Sequence, residues 1–177
     1  MRTILNISIC DDRPDQLAKI YTATTEYFKK YSERVIQVSR FDNSLLFLES
    51  LDKTGGCDIA LLDICMPGIL GTDVARSIRA RCDKTEIIFL TSSDEYAIDA
   101  FVLKAAHYLL KPFTQEQFNE AMDRAMQPFA DGSIKNIAVK RDSIVLRSGH
   151  RIPIPKRGFR NLESTYFDYM FREGDFK

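Results

Sequence analysis

The feature that most constrains this chain is a regular alternation between two hydrophobic periods over its first 127 residues. Short apolar runs of strand length stand at residues 4–10, 35–39, 58–62, 86–90 and 108–110, and stretches with helical spacing separate them. Between the first two runs Leu17, Ile20, Tyr21, Thr24, Phe28 and Tyr31 recur at helical intervals behind Pro14, a residue suited to a first helical turn. Asp42 or Asn43 can cap a short helix that carries Leu45, Leu46, Leu48 and Leu51. Further helices fit 72–81, 94–104 and 114–127, and in the last of these Phe118, Ala121, Met122 and Ala125 share one apolar face. Strands that run parallel need a crossover between them, and a helix supplies it. Five such units predict an α/β, doubly wound, five-stranded parallel sheet covered by helices on both sides.

The pattern then breaks. Residues 128–133, Pro-Phe-Ala-Asp-Gly-Ser, read as a linker. Beyond them the period changes to two, with Ile137 and Val139, then Ile144 and Leu146, and the prolines at 153 and 155 keep their surroundings extended. Phe167, Tyr169 and Phe171 alternate once more. The expected organisation is a domain at 1–127, a linker at 128–133 and a short all-β segment at 134–177. Charge divides at the same place. Residues 1–130 hold 15 Lys and Arg against 19 Asp and Glu, whereas residues 131–177 hold 10 against 6, so that the whole is neutral. An acidic body with a basic tail points either to a polyanionic partner for the tail or simply to a solvated surface.

Composition removes several classes. With 45% hydrophobic and 28% charged residues, the chain is a folded globular protein rather than a disordered one. Its apolar runs are a handful of residues long, where a membrane helix needs about 20. The N-terminus has no extended apolar stretch before Asp11 and is not expected to be an export signal. Cys10, Cys57, Cys65 and Cys82 form no C-x-x-C pair and no zinc spacing with His107 or His150, which makes reduced thiols in a cytoplasmic protein the simplest expectation.

In an open parallel sheet, ligands bind beyond the carboxyl ends of the strands. The first strand ends in Asp11-Asp12, the third in Asp63, the fourth in Thr91-Ser92 and the fifth in Lys111-Pro112. If the first and third strands are neighbours, three carboxylates converge with a hydroxyl and an ammonium beside them. Clustered carboxylates raise one another's pKa unless a cation joins them. Hard oxygen ligands of this kind suit Mg²⁺, which can bridge phosphoryl oxygens and neutralise charge during transfer. An aspartate facing such a cation is a candidate nucleophile for an aspartyl phosphate, with Thr91 and Lys111 on the remaining phosphoryl oxygens.

These residues resemble the receiver domain of two-component response regulators. Asp11-Asp12 follow the first strand, Asp63-Ile64-Cys65-Met66-Pro67 continues to Gly71, Thr91 comes 28 residues after Asp63, and His107-Tyr108-Leu109-Leu110-Lys111-Pro112-Phe113 closes the set, over about residues 3–127. The resemblance implies a flavodoxin-like strand order 2-1-3-4-5, with Asp63 as the phosphoacceptor fed by a sensor histidine kinase. It implies that Asp11, Asp12, Asp63 and the backbone carbonyl of Cys65 hold Mg²⁺. Thr91 would bond the phosphoryl group, Tyr108 would act as the switch aromatic, and Lys111, whose bond to Pro112 is expected to be cis, would supply positive charge. Such a protein is a phosphoacceptor that catalyses its own phosphotransfer and dephosphorylation rather than an enzyme on a separate substrate, and homodimers are common in the family. His107 and His150 are expected to be packed or surface residues.

The tail is similar to the opening of a LytTR-type DNA-binding domain, through Ile152-Pro153-Ile154, Leu162-Glu163-Ser164-Thr165-Tyr166 and Phe171. The match spans about residues 134–175, less than half of that module, so the expected output is a truncated DNA-binding segment in a transcription regulator. Lys140, Arg141, Arg147, Arg151, Lys156, Arg157 and Arg160 could meet phosphates. The alternative is a receiver-only signalling or interaction protein with no DNA-binding output. Two enzyme readings fit less well. A haloacid-dehalogenase-like phosphatase expects a second aspartate where Cys65 stands, and a nucleotide-binding fold expects glycines where Cys10-Asp11-Asp12-Arg13-Pro14 stands.

Overall fold

The computed structural model describes residues 4–30 and 35–130, together with the backbone of three short strands between 138 and 153. The first part alternates throughout: β1 (Ile4–Cys10), α1 (Pro14–Phe28), β2 (Val35–Phe41), α2 (Ser44–Thr54), β3 (Ile59–Leu62), α3 (Gly71–Arg81), β4 (Glu86–Thr91), α4 (Ala97–Val102), β5 (His107–Leu110), α5 (Gln115–Ala125) and the short turn α6 (Gln127–Ala130). All five strands are parallel, in the order β2-β1-β3-β4-β5. This is the flavodoxin-like arrangement, with the topological reversal between β1 and β3.

Local chemistry accounts for the element boundaries. Pro14 opens α1, where its missing N–H costs nothing, and Asp15 lies in the first turn, toward the positive end of the helix dipole. Asn43, rather than Asp42, caps α2: its Oδ1 accepts from the Leu46 amide at 3.0 Å. The same helix ends at Gly55, whose φ of 78° is a left-handed cap that a side chain would resist. α5 starts with a capping box in which Thr114 and Gln117 satisfy each other's backbone N–H groups.

Two apolar layers sandwich the sheet. One packs β1, β3 and β4 against α1 and α5 through Ile7, Ile9, Ile20, Tyr27, Leu61, Phe118 and Met122. The other, on the opposite face, holds Phe47, Leu62, Ile64, Val74, Ile78, Phe89 and Phe101 beneath α2, α3 and α4. Strands buried on both faces read as continuous apolar runs, as Ile-Ala-Leu-Leu of β3 and Ile-Ile-Phe-Leu within β4 do.

The structure moves some boundaries expected from sequence. β2 runs on to Phe41 because it stays in register with β1 to the pair Cys10–Phe41. β5 starts at His107, which pairs with Ile88 and is buried. α4 is confined to residues 97–102 instead of 94–104, since Lys104 adopts φ 53° and turns the chain toward β5. The chain also stays helical to Ala130, past the expected start of the linker at Pro128. Pro128 occupies the first turn of α6, where no N–H is needed, and the Phe129 N–H reaches the Met126 carbonyl.

Beyond this part β6 (Ala138–Lys140), β7 (Ser143–Val145) and β8 (Arg151–Pro153) pair as an antiparallel sheet. The alternation at Phe167–Tyr169–Phe171, His150, and the basic residues Arg141, Arg147, Lys156, Arg157 and Arg160 lie outside the described residues, as do Tyr31, residues 131–133 and most of the 134–177 segment. Among the described residues no helix is long and apolar enough to cross a membrane.

Candidate functional site

Each strand of the parallel sheet delivers its last residues to one edge. Asp11 leaves β1 with its amide bonded to the Phe41 carbonyl at 3.1 Å, and Asp63 leaves β3 with its amide bonded to the Cys10 carbonyl at 2.9 Å. The β1–β3 adjacency therefore puts their side chains together. Asp11 is fully buried, Asp63 is 5% exposed and Asp12 is half-buried. One carboxylate oxygen from each of the three lies within 4.8 Å of the others.

Lys111 comes from the end of β5, where its amide bonds the Thr91 carbonyl at 2.8 Å, and its bond to Pro112 is cis. Its ammonium reaches across to Asp11 Oδ2 at 2.6 Å and Asp63 Oδ2 at 3.3 Å. The other oxygens are also tied: Asp11 Oδ1 accepts from the Arg13 amide at 3.0 Å and Asp63 Oδ1 from the Ile64 amide at 2.8 Å. Burial raises the Asp11 carboxyl above its ordinary range, against the opposing pull of Lys111 and the Arg13 amide, while Asp63 beside it raises it further. Desolvation outweighs the ammonium here. A site that holds a carboxylate at this cost is short of positive charge.

Thr91 is fully buried at the end of β4, with its Oγ1 accepting from the Ser93 amide at 3.3 Å and lying 3.6 Å from Cys65 Sγ. Tyr108 lies on β5 behind it, 2% exposed, its hydroxyl donating to the Ser93 carbonyl at 2.5 Å. Burial pushes the Tyr108 phenol well above its usual range, so it stays a donor. The loop after β4 is thus fastened to Thr91 through one backbone atom of Ser93 and to Tyr108 through another. The Cys65 side chain is exposed at the mouth of the site.

Gly71, the first residue of α3, explains how β3 and α3 meet. A Cβ placed there would come within 2.0 Å of the Asp63 carbonyl oxygen and 2.9 Å of the Ile64 Cα. The Gly71 amide bonds the Ile64 carbonyl at 3.0 Å. No side chain fits that space, and the glycine lets the helix press on the backbone of Asp63 itself.

The residues singled out from sequence, Asp11, Asp12, Asp63, Cys65, Thr91, Tyr108 and Lys111, all lie at this edge. Four of them, Asp12, Asp63, Cys65 and Lys111, line a cavity of about 350 Å³ with Ser92 and Pro112, together with Arg13, Gln16 and Lys19 from the start of α1. The last three were not anticipated. Gln16 and Lys19 are three apart on one helix, a spacing that puts them on one face. Only the packing of α1 beside α5 shows that this face looks into the cavity, with Lys19 Nζ 4.8 Å above the ring of Phe113 in the connection before α5.

A doubly wound sheet of this order, with three aspartates and a lysine at its carboxyl edge, defines the receiver class of signalling domain. The response regulator receiver domain family matches residues 7–123, and this chain belongs to it. It is 35% identical over 164 residues, 90% of its length, to the positive alginate biosynthesis regulatory protein of Pseudomonas aeruginosa, and covers 61% of that protein. It is 37% identical over 119 residues, 66% of its length, to the sensory transduction protein LytT of Oceanobacillus iheyensis, and covers 45% of it. The chain therefore spans about half to three fifths of these curated relatives. Among solved structures, the response regulatory domain of mrkE from Klebsiella pneumoniae superposes with a TM-score of 0.63 at 23% identity, covering 71% of this chain and 98% of that one. The response regulator DrrB of Thermotoga maritima gives 0.59 at 22% identity, covering 92% and 72%. At such identities the likeness is one of fold.

Proposed function

We propose that this protein accepts a phosphoryl group on Asp63 from a sensor histidine kinase, in a reaction that needs Mg²⁺, and passes the change to a DNA-binding output that regulates transcription. The observation that carries this reading is the convergence of Asp11, Asp12 and Asp63 within 4.8 Å around a single lysine. Three hard carboxylates sharing one ammonium suit a small divalent cation better than they suit one another. Asp11, Asp12, Asp63 and the Cys65 carbonyl would hold the Mg²⁺. When bound, the ion supplies positive charge to the oxygens of a phosphoryl group.

The protein's own groups account for the rest. Asp63 Oδ1 is held by the Ile64 amide, which fixes the carboxylate toward the cavity. Transfer forms a bond between an Asp63 oxygen and phosphorus as the phosphorus–nitrogen bond of the donor histidine breaks. Lys111 and the Thr91 hydroxyl bind the transferred oxygens, and catalysis is mainly positioning and charge. In this reading the chain is a phosphoacceptor that promotes its own phosphotransfer and dephosphorylation. Once Thr91 turns to the phosphoryl group, its contact with the Ser93 amide is free to change, and Tyr108, fastened to the Ser93 carbonyl, follows.

For the output, support comes from the regulatory names of the relatives, the antiparallel strands β6–β8 and the basic balance of the tail. The segments assigned are a receiver at 1–127 and a LytTR-like β segment at 134–177, in a cytoplasmic protein. The test is phosphorylation of the whole chain by a small phosphodonor with Mg²⁺. Asp63→Asn is expected to abolish stable label, and label equal to the parent's would sink the assignment. Binding of promoter-length DNA that increases on phosphorylation supports the transcriptional output; none at any salt concentration would leave the receiver-only alternative.

A further inference from the structure

The strand pair β1–β2 is apolar on one face and polar over part of the other. In register, Ile4 lies beside Val35, Asn6 beside Gln37, Ser8 beside Ser39 and Cys10 beside Phe41. These pairs share the face turned to α2, since Cys10 and Phe41 belong to the layer beneath α2, α3 and α4. The alternate residues Leu5, Ile7, Ile9, Ile36 and Val38 pack toward α1 and α5. A parallel sheet covered by helices is ordinarily apolar on both faces. Here the amides of Asn6 and Gln37 and the hydroxyls of Ser8 and Ser39 stand where an apolar layer is expected.

The second half of α2 answers in kind. Ser50 and Thr54, one turn apart on the same side of the helix, meet this polar strip. A cavity of about 100 Å³ lies between them and the strands, bordered by Asn6, Ser8, Gln37, Ser39, Ser50 and Thr54 and by the backbone turn at Gly56. No charged residue lines it. Part of this polar lining is already in use. Thr54 Oγ1 donates to the Ser50 carbonyl at 2.8 Å, and the buried Ser8 hydroxyl is bonded with the Cys57 thiol. Asn6 Nδ2 reaches Asp58 Oδ2 only at 3.5 Å. The side chains of Gln37, Ser39 and Ser50 have no hydrogen-bond partner among the described residues. Polar groups that line a cavity without partners are groups a ligand can satisfy.

We propose that the cavity between α2 and the β1–β2 pair binds a short neutral polyol of the size and chemistry of glycerol. Charge decides against an ion, which would lose water here and find no countercharge. Chemistry favours hydroxyl groups: serine hydroxyls and carboxamides each offer a donor and an acceptor, and a polyol presents the same pair at every carbon. Size sets the length. The cavity is several times the roughly 10–15 Å³ that one water needs, and well short of the roughly 300–1,000 Å³ of sites for larger ligands. Ile4 and Val35, both exposed and next along the same face, give the carbon side of such a molecule an apolar rim. Binding would fasten the second half of α2 to β1 and β2. The site lies away from the acidic edge and does not depend on the function assigned there.

The experiment titrates the isotope-labelled whole chain with glycerol and follows its amide NMR spectrum, with lactate as a charged control of similar size. A dissociation constant on the order of 1–10 mM is expected for so small a ligand. Saturating shifts should be confined to residues 6–8, 37–39 and 50–56, and lactate should produce none. Ser50→Ala, which removes one unpaired hydroxyl from a helix, is expected to weaken binding about fivefold. Ser39→Leu, which fills the cavity, should abolish it; if that variant does not fold, Ser50→Ala decides alone. Shifts that grow in proportion to glycerol without saturating are those of a cosolvent over a cavity that holds water only, and they would overturn the proposal. So would saturable binding that Ser50→Ala leaves unchanged, or lactate bound as tightly as glycerol.

Discussion

The two ends of the parallel sheet solve opposite problems with similar materials. At the carboxyl end, three aspartates and one lysine are drawn together with too little positive charge among them. At the amino end, Arg79 brings a full positive charge to a set of backbone oxygens and is well matched there. Its guanidinium donates to the carbonyls of Leu103 at 2.8 Å, Thr85 at 2.6 Å, Lys104 at 3.2 Å and Asp83 at 3.3 Å. One side chain thus joins the exit of α3, the start of β4 and the turn before β5. The difference teaches that a fold can concentrate stability at one end of its strands and electrostatic stress at the other. The stressed end is where a ligand has something to gain.

Four substitutions test this contrast, in descending order of effect. Gly71→Ala forces a methyl against the Asp63 carbonyl. It is expected to cost about 3 kcal/mol in urea unfolding and to weaken Mg²⁺ binding as well, because it moves the backbone of the acidic site. Arg79→Ala should cost about 2 kcal/mol through the carbonyls it leaves, yet bind Mg²⁺ as the parent does. An equal loss of Mg²⁺ binding in Arg79→Ala would break the division between the two ends.

Asp11→Asn works in the other direction. Burial raises the Asp11 carboxyl, so at neutral pH its ionised form opposes folding. Removing that charge should stabilise the metal-free protein by about 1 kcal/mol while impairing Mg²⁺ binding. The sign is checked by pH. A carboxyl raised in the folded state takes up its proton there before the unfolded chain does, so parental stability gains as pH falls from above the folded pKa to the ordinary carboxylate range. The advantage of Asp11→Asn in denaturation midpoint should shrink over that window; a gap independent of pH would assign the gain to something other than this charge. The smallest effect is expected for Tyr108→Phe, about 0.5–1 kcal/mol for the lost bond to Ser93, measured by thermal melting. Hydrogen exchange at residues 92–96 should rise with it.

Much of this was legible in the chain. The five strands and their crossovers follow from the alternation of period, and the acidic edge follows from asking what each apolar run ends with: Asp11-Asp12, Asp63, Thr91, Lys111. The helix expected at 114–127 is found at Gln115–Ala125, with Thr114 as its cap. What was not legible depends on distant partners. Arg79 on an amphipathic helix reads as a solvent-facing charge, because its acceptors at Leu103 and Lys104 lie 24 and 25 residues away. Lys19 looks like any exposed lysine until α1 is packed. The end of α4 rests on the left-handed turn at Lys104, where neither glycine nor asparagine gives notice of it.

Lys111 has a further consequence for the acidic edge. Its ammonium is a counterion that cannot diffuse away, held by the chain within bonding distance of two carboxylates. Any mobile cation that enters competes with this tethered one at a constant effective concentration, which dilution does not lower. The pocket's apparent affinity is therefore set by a contest inside the molecule as much as by its carboxylates. An anionic group that arrives with the cation and draws the ammonium to itself tips that contest, so the two guests bind better together than either does alone.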